Sequence, residues 1–585
     1  MKSEHTLDTD ILVIGSAGAG LRAAIEASSS ARVILASKGP LGRGGATVMA
    51  GADIMLDGKS LSQMGFPGDP DDNPEKFFRD ILTEGFGLNN QEMVEVYVRD
   101  APARVRELLD WGMKTDPERS CGRAVITTGA EILRTLREQL TKTPVRPLER
   151  FMVTDLLVRD GVLCGAMGVD IPRGNILCIR CKAIILATGG WHELFAFNTG
   201  SDELTGDGPA MAFRAGAVLT NMEMVTFCPN IILHPPAYRA SVLLYNFLPG
   251  KLLNARGDEF LLWQDPAMLR LAQTSEWNKL IISKASWSEI MARRGSPHGG
   301  VYYSLKHVPE AIWMGLSESH RWKKGWRFQG KDFSPIIDRL RRGDAIEVAP
   351  AAHYFEGGIK VNGNCETTLP GLFAAGECSG ELFGANRVSA ATTEMLVQGA
   401  MAGRAALRYT SKNRMPEPLK KQVIEVEEVL LQPLTRRSGT RAIDFKRSLQ
   451  DVSYRFLGPL REQKGLQHAF DESARFKETL TQLSAPSRRE HNRAWIDAIE
   501  ARNLCQLLAI LCASAIERKE SRGVHIRSDY PNVDNVNWLR NVLVRQHGGD
   551  PKVESGPVVT TSFTPERGVL SYDRSILDAL VAGRE

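Results

Sequence analysis

The sequence predicts an α/β protein: a large Rossmann-like domain, interrupted by an insertion and followed by a helical region. Three observations predict it. A short β-branched run near the start leads into a glycine turn and then a helical pattern. Further glycine turns at the ends of apolar runs recur as far along as Glu377. After Pro416-Glu417-Pro418 the chain changes to long charged amphipathic stretches. At roughly 150 residues per domain, 585 residues suggest three or four units. Hydrophobic residues at 43% and charged ones at 24% exclude a disordered, collagenous or coiled-coil chain. Against 69 acidic residues stand 73 Lys and Arg, a net +4 that gives no case for nucleic-acid binding.

The first strand is Asp10-Ile-Leu-Val-Ile-Gly15, apolar and β-branched as a buried parallel strand requires. The turn Gly15-Ser16-Ala17-Gly18-Ala19-Gly20 follows, then the helical pattern Leu21 to Ala27 and a second strand, Arg32 to Ser37. This order is a dinucleotide-binding βαβ unit, in which a pyrophosphate meets a glycine turn and a helix N-terminus. There are two departures. The middle glycine of G-x-G-x-x-G is Ala17, and the second strand ends in Ser37-Lys38 where an acid is expected. A second loop, Gly42-Arg43-Gly44-Gly45-Ala46-Thr47, is suited to wrap a cofactor. Later come Ala183 to Gly190, with Ala187-Thr188-Gly189 at the turn, then Thr205-Gly206-Asp207-Gly208 before a small-residue helix, and Gly371 to Glu377. Between residues 231 and 345 these fingerprints vanish, which marks the insertion. The amphipathic stretches Leu419–Leu431, Arg441–Leu480 and Trp495–Lys519 read as a packed bundle without chemistry of its own.

Nine cysteines share no repeated spacing. Cys178 and Cys181 form a single C-x-x-C beside an apolar strand, so structural cysteines and no metal site are expected. With no apolar leader after Met1-Lys2-Ser3, this points to a reducing, cytoplasmic setting. The stretch Leu507 to Ile516 is too short to span a bilayer, so membrane contact, if any, is expected only through a partner.

Taken in order, these motifs resemble the flavoprotein subunits of succinate dehydrogenase and fumarate reductase and the related L-aspartate oxidases. Val13-Ile14-Gly15, Ser37-Lys38, Thr205 to Gly208, His353-Tyr354 with Gly357-Gly358, Gly384-Ala385-Asn386-Arg387 and Glu520 to Pro531 complete the match. The resemblance covers nearly the whole chain. It implies FAD, an α+β capping domain inserted into the flavin domain, a C-terminal helical region and a small C-terminal domain. The implied boundaries are 1–230 and 346–412 for the FAD-binding domain, 231–345 for the cap, 413–530 for the helical domain and 531–585 for the last segment. It assigns to the cofactor Gly15, Ser16, Ala17, Gly18, Ala19, Gly20, Ser37, Lys38, Gly44, Gly45, Ala46, Thr47, Ala187, Thr188, Gly189, Asp207, Glu377, Arg387, Thr392 and Thr393. The family's flavin-linking histidine lies in an S-H-T triplet, here Gly45-Ala46-Thr47. Alanine cannot form that bond, so noncovalent FAD is expected.

The family moves a hydride between flavin N5 and a C–C bond flanked by carboxylates. Two histidines, an arginine and a Thr-Glu pair hold the dicarboxylate, and a second arginine exchanges the proton. His353 and Arg387 match a substrate histidine and the carboxylate clamp. The other groups differ. F-H-P-T reads Phe227-Cys228-Pro229-Asn230, so the first histidine has become Cys228. The Thr-Glu pair has no clear match, Tyr245-Asn246 being nearest, and the arginine of R-D aligns with Lys279. Loss of cations points to a less charged substrate: a monocarboxylate, a thioester, or an aromatic or alicyclic acid. Alternatives stay open for several residues. Lys279 is a proton carrier or a surface lysine. Tyr245 is a second candidate acid. Cys228 is a redox thiol or a core cysteine. Glu356 faces substrate or solvent. The chain carries no cysteine cluster of its own, so an iron–sulfur electron-transfer partner is expected. Two further readings remain: a true fumarate reductase, succinate dehydrogenase or L-aspartate oxidase, and a non-catalytic flavin electron-transfer subunit.

Overall fold

The computed structural model describes residues 6–239, 250–274, 278–309, 312, 334–387 and 391–582. Its centre is a parallel five-stranded sheet in the order Leu372–Ala374, Ala183–Leu186, Ile11–Ile14, Val33–Ser37 and Arg146–Glu149. Ile11, Leu12 and Val13 are fully buried, as expected of a strand covered on both faces. The helix Gly18–Ala27 follows the first strand closely. Gly15 makes the turn at φ +106°, and a Cβ there would lie 2.2 Å from the Ala187 carbonyl oxygen. A Cβ on Gly20 would lie 1.7 Å from the Gly15 carbonyl oxygen, so helix and strand approach only without side chains. A second sheet, Thr6–Asp8, Asn175–Arg180, Val162–Asp170 and Phe151–Arg159, flanks this core.

The insertion is an antiparallel sheet, ordered Val225–His234, Ile346–Phe355, Val301–Ser304 and Lys251–Leu253. The helix Asn278–Met291 packs on it, with Ile281 and Ile282 buried in one cluster with Ile232 and Val348. The strands that lead into and out of the insertion pair with each other, so this sheet reaches past residues 231–345 at both ends. Its long central strand ends at the flavin domain, where residues 353–356 lie.

The helical region holds Lys420–Thr435, Ala442–Phe456, Gln463–Leu480 and Arg493–Glu517. The stretch read as Arg441–Leu480 is two helices, because Gly458-Pro459 interrupts it and Pro459 lacks the N–H the ladder needs. Arg493–Glu517 is long and apolar enough to cross a membrane, longer than the Leu507–Ile516 stretch alone. Here it is a core helix: Trp495, Ile499, Leu504, Leu508 and Leu511 are all buried. The C-terminal hairpin Arg540–His547 and Asp550–Pro557 turns back onto Leu219–Thr220 and extends a sheet with Gly358–Ile359. None of the nine cysteines forms a disulfide, and Cys121 alone of them is exposed.

Candidate active site

The N-terminus of the helix Gly18–Ala27 is buried, and its cap residue Ala17 is extended with no side-chain cap. Gly18 takes the place of the expected middle glycine for a packing reason: its Cβ would lie 2.0 Å from Met395 Sδ. Gly18 N–H donates to Thr47 Oγ1 at 3.2 Å, which ties the first turn to the loop Gly44–Thr47. Ser16 and Ser37 share a hydrogen bond of 2.7 Å between their hydroxyls, and Ser16 Oγ accepts from the Gly42 N–H at 3.1 Å. A carboxylate that the sequence did not single out, Glu203, accepts from the Gly45 N–H at 3.2 Å. Ala46 is half-buried in the short helix Gly45–Met49.

The second glycine cluster faces this one. Ala187 N–H donates to Ile14 O, and Thr188 and Gly189 follow at the sheet edge. The Glu377 carboxylate accepts from the Gly190 N–H at 3.0 Å through Oε2. Its Oε1 is buried and accepts no hydrogen bond among the described residues. A buried helix N-terminus whose cap residue offers no side-chain acceptor, beside a buried carboxylate oxygen with no hydrogen bond among the described residues, fits a nucleotide with a pyrophosphate and hydroxyl groups. That is the arrangement FAD requires.

Lys38 and Asp207 are placed differently from Glu377. Lys38 Nζ contacts Thr205 Oγ1 at 2.7 Å, Asp207 Oδ2 at 3.0 Å and Glu500 Oε1 at 3.1 Å. Glu500 belongs to the helical region and also binds Lys446 at 3.0 Å and Arg493 at 2.9 Å. Burial opposes ionisation of Glu500, but these cations hold its carboxyl down at about 2. Asp207 also accepts from Thr205 Oγ1 at 2.8 Å and Asn503 Nδ2 at 2.9 Å. These two residues therefore weld the flavin domain to the helical region. Thr392 and Thr393 likewise anchor the long helix Ala391–Lys412, through the Asp53 carbonyl and, at 2.8 Å, the Met55 carbonyl.

The residues expected to meet substrate gather at the end of Ile346–Phe355. His353 and Tyr354 are half-buried, with ring centroids 4.0 Å apart. His353 Nδ1 shares a 2.5 Å hydrogen bond with Thr199 Oγ1, and its carbonyl accepts from His192 Nε2 at 3.0 Å. Lys279 Nζ stands 5.4 Å from the Tyr354 ring centroid, and Arg387 Cζ stands 5.7 Å from the same centroid. Lys279 is 8% exposed, so it is not a surface lysine. Arg387 is fully buried. Its Nη1 is 3.0 Å from Glu394 Oε2, its Nη2 donates to the Phe355 carbonyl at 3.3 Å, and its Nε has no partner among the described residues. Cys228 is buried on the neighbouring strand, opposite Ala351. Glu356 does not face solvent: it is 1% exposed and accepts from Thr226 Oγ1 at 2.5 Å. Tyr245 lies outside the described residues.

The site therefore brings together Lys279, His353, Tyr354 and Arg387. Sequence reasoning singled out three of these four; Tyr354 sat beside His353 in the motif and was passed over. Thr199 and Glu394 carried no isolated signal. Among the described residues no group of His, Cys, Asp and Glu side chains is arranged to hold a metal.

Comparison with known proteins agrees with this geometry. Residues 10–393 match the FAD binding domain family, and residues 446–570 match the fumarate reductase flavoprotein C-terminal family. The chain belongs to the succinate dehydrogenase/fumarate reductase flavoprotein family. It is 31% identical to a fumarate reductase (CoM/CoB) chain of Methanothermobacter marburgensis, over 93% of this chain and 98% of that one. It is 30% identical to the L-aspartate oxidase of Streptomyces coelicolor, over 92% and 91%. Among solved structures, Mycobacterium smegmatis Sdh1 in complex with UQ1 superposes with a TM-score of 0.85 at 29% identity, covering 96% of both chains. A quinol-fumarate reductase with menaquinol molecules gives 0.82 at 26%, covering 96% and 100%. This flavoprotein is accordingly an FAD-dependent oxidoreductase of the fumarate reductase type.

Proposed function

We propose that this flavoprotein adds or removes hydrogen across a C–C bond next to one carboxyl or acyl group of a nonstandard organic acid. It exchanges the electrons with a separate iron–sulfur protein. The observation that carries the reading is the charge at Arg387. Its guanidinium is already matched by Glu394 at 3.0 Å, and its Nε is the nitrogen left without a partner among the described residues and open to a ligand oxygen. A doubly anionic ligand needs more cation than this. The turns at Gly15–Gly20 and Glu377 would hold FAD, noncovalently since Ala46 cannot bond it, and the bound FAD would supply the hydride acceptor or donor. Arg387 fixes one oxygen of the substrate. His353, oriented by Thr199, holds a second polar group. Lys279, buried and stacked on Tyr354, passes the proton. The surrounding buried side chains exclude water.

A second reading, reduction of fumarate itself, is supported by the names of several relatives at about this identity. One experiment separates the two. The flavin is photoreduced anaerobically, and its reoxidation by fumarate is compared with that by monoanionic enoates such as crotonate and monomethyl fumarate. Faster reoxidation by a monoanion supports the proposal, and faster reoxidation by fumarate supports the second reading. Acid precipitation should release the flavin into the supernatant; flavin retained in the pellet contradicts noncovalent binding.

A further inference from the structure

The carboxyl of Glu356 has no part in binding or proton transfer as described above, yet the charges of Arg387 and Glu377 both act on it. It follows Phe355, whose carbonyl takes an Arg387 hydrogen bond and whose ring packs 4.3 Å from Trp191 beside the Gly190 turn. Oε1 accepts from Thr226, and Oε2 is buried without a hydrogen-bond donor. Among the described residues Glu356 makes no ion pair. The charges that reach it are Arg387 and Glu377. Glu394 stands behind Arg387 on the long helix. His353 and Tyr354 precede it on its own strand. The strand Val225–His234 presents Thr226. Nearby Glu223 is neutralised by Arg518 at 2.6 Å, and Glu381 by Lys360 at 2.6 Å. Three carboxyls, Glu394 in contact and Glu356 and Glu377 at longer range, thus act on one guanidinium. In a low-dielectric pocket that excess of negative charge is held down by retaining a proton.

We propose that Glu356 is a redox-linked proton acceptor: it takes one proton when the bound FAD is reduced and releases it when the FAD is reoxidised. Two electrons and one proton convert the neutral oxidised ring to the anionic reduced ring. A second proton converts the Glu356 carboxylate to the acid. The pocket's net charge is then unchanged, and the uptake is two electrons and two protons. Burial pushes the carboxyls of both Glu356 and Glu394 up to about 7, with Arg387 opposing and Glu377 adding to the rise. Geometry separates the two: Glu394 is fixed in an ion pair with Arg387, and Glu356 has an open oxygen. A group poised there responds to a single new negative charge. The inference rests on Glu377 facing the cofactor and not on which substrate is used.

The test counts protons on reduction. FAD-loaded full-length protein is photoreduced anaerobically with a deazaflavin in weakly buffered solution containing a pH indicator. Uptake is expected to be about two protons per FAD near pH 8, falling to about one near pH 6, where Glu356 already holds its proton. Glu356→Gln should take up about one at both pH values. Glu394→Gln should keep the pH-dependent second proton. Thr226→Val removes a hydrogen bond to the ionised form, so the step should move to higher pH. Two protons in Glu356→Gln near pH 8, one proton in the wild type throughout, an unmoved step in Thr226→Val, or loss of the step in Glu394→Gln alone would each overturn the proposal. FAD affinity unchanged in Glu377→Gln would count against the cofactor-facing acid. Crotonate or fumarate turnover bears only on the substrate reading.

Discussion

Substituting Glu500 by glutamine should weaken the join between the flavin domain and the helical region, by an amount that follows from its surroundings. The Glu500 side chain is fully buried and meets Lys38, Lys446 and Arg493 at 3.1, 3.0 and 2.9 Å. These contacts lower its carboxyl from an ordinary 4.5 to about 2. At 1.36 kcal/mol per unit, about 2.5 units amount to about 3 kcal/mol of differential stability. Glutamine has the shape of the protonated acid, so the variant should lose about this much at neutral pH. The sign is that of a depressed acid. Its contribution is complete above the unfolded value of 4.5 and is lost as pH falls toward about 2. Urea unfolding of wild type and Glu500→Gln, followed by tryptophan fluorescence, should therefore differ by about 3 kcal/mol from pH 8 down to about 5, with the gap narrowing below that. A gap under about 1 kcal/mol at pH 7, or one that is the same at pH 3.5 as at pH 7, would refute the reasoning; the pair would then resemble an exposed salt bridge.

Glu377→Gln should weaken FAD binding by about 10- to 100-fold, the loss expected for a hydrogen bond to a charged acceptor, as read by titrating apoprotein with FAD and following flavin fluorescence. Gly15→Ala should give protein that neither binds FAD nor melts cooperatively, because its Cβ would lie 2.2 Å from the Ala187 carbonyl oxygen. Gly548→Ala, also at positive φ but facing open space, should melt within a few degrees of wild type. Arg387→Ala should destabilise by about 3–5 kcal/mol, since it strands Glu394, and adding Glu394→Gln should recover part of the loss in thermal melts. Brief alkylation of native protein followed by peptide mass mapping should label Cys121 and spare Cys178 and Cys181, which are buried and whose thiols burial pushes upward.

The first βαβ unit was legible because its signals are local: four β-branched or leucine residues, a turn that only glycine fits at Gly15, and a helix of small residues. The same holds for the strand and turn at Gly371–Glu377. What the sequence did not disclose depends on pairing across long separations. Lys38 reads as a cofactor residue beside Ser37, but its carboxylate partner Glu500 is 462 positions away in a helix that reads as plain bundle. The hairpin Arg540–His547 and Asp550–Pro557 carries no mark that it pairs with Leu219–Thr220. Glu356 was ambiguous because period-two patterning fails at the strand's end. The ladder skips His353 between the pairs Thr226–Tyr354 and Phe227–Ala352, so face cannot be counted from residue number. The glycine at Gly18 was visible, but its reason, Met395 Sδ on a helix nearly four hundred positions later, was not.

The altered positions make one electrostatic pattern. The cap offers one ammonium, Lys279, and the flavin domain offers one guanidinium, Arg387, at 5.4 and 5.7 Å from the Tyr354 ring centroid. Glu394 pairs with Arg387, and the charges of Glu356 and Glu377 also reach it. Cys228 adds no charge to this balance, where a histidine would have added one on protonation. A second substrate carboxylate would enter a pocket whose guanidinium is already answered by Glu394, and transfer of an unpaired carboxylate from water costs several kcal/mol. A carbonyl, an ester or an apolar tail at that end avoids this penalty. On the proposed reading, discrimination would come less from what contacts the second group than from the absence, among the described residues, of a cation beyond Lys279 and Arg387 to receive it. That predicts monomethyl fumarate outperforming fumarate even though both present the same C–C bond. Introducing Cys228→His should narrow the gap, most at low pH, where the new imidazole is charged.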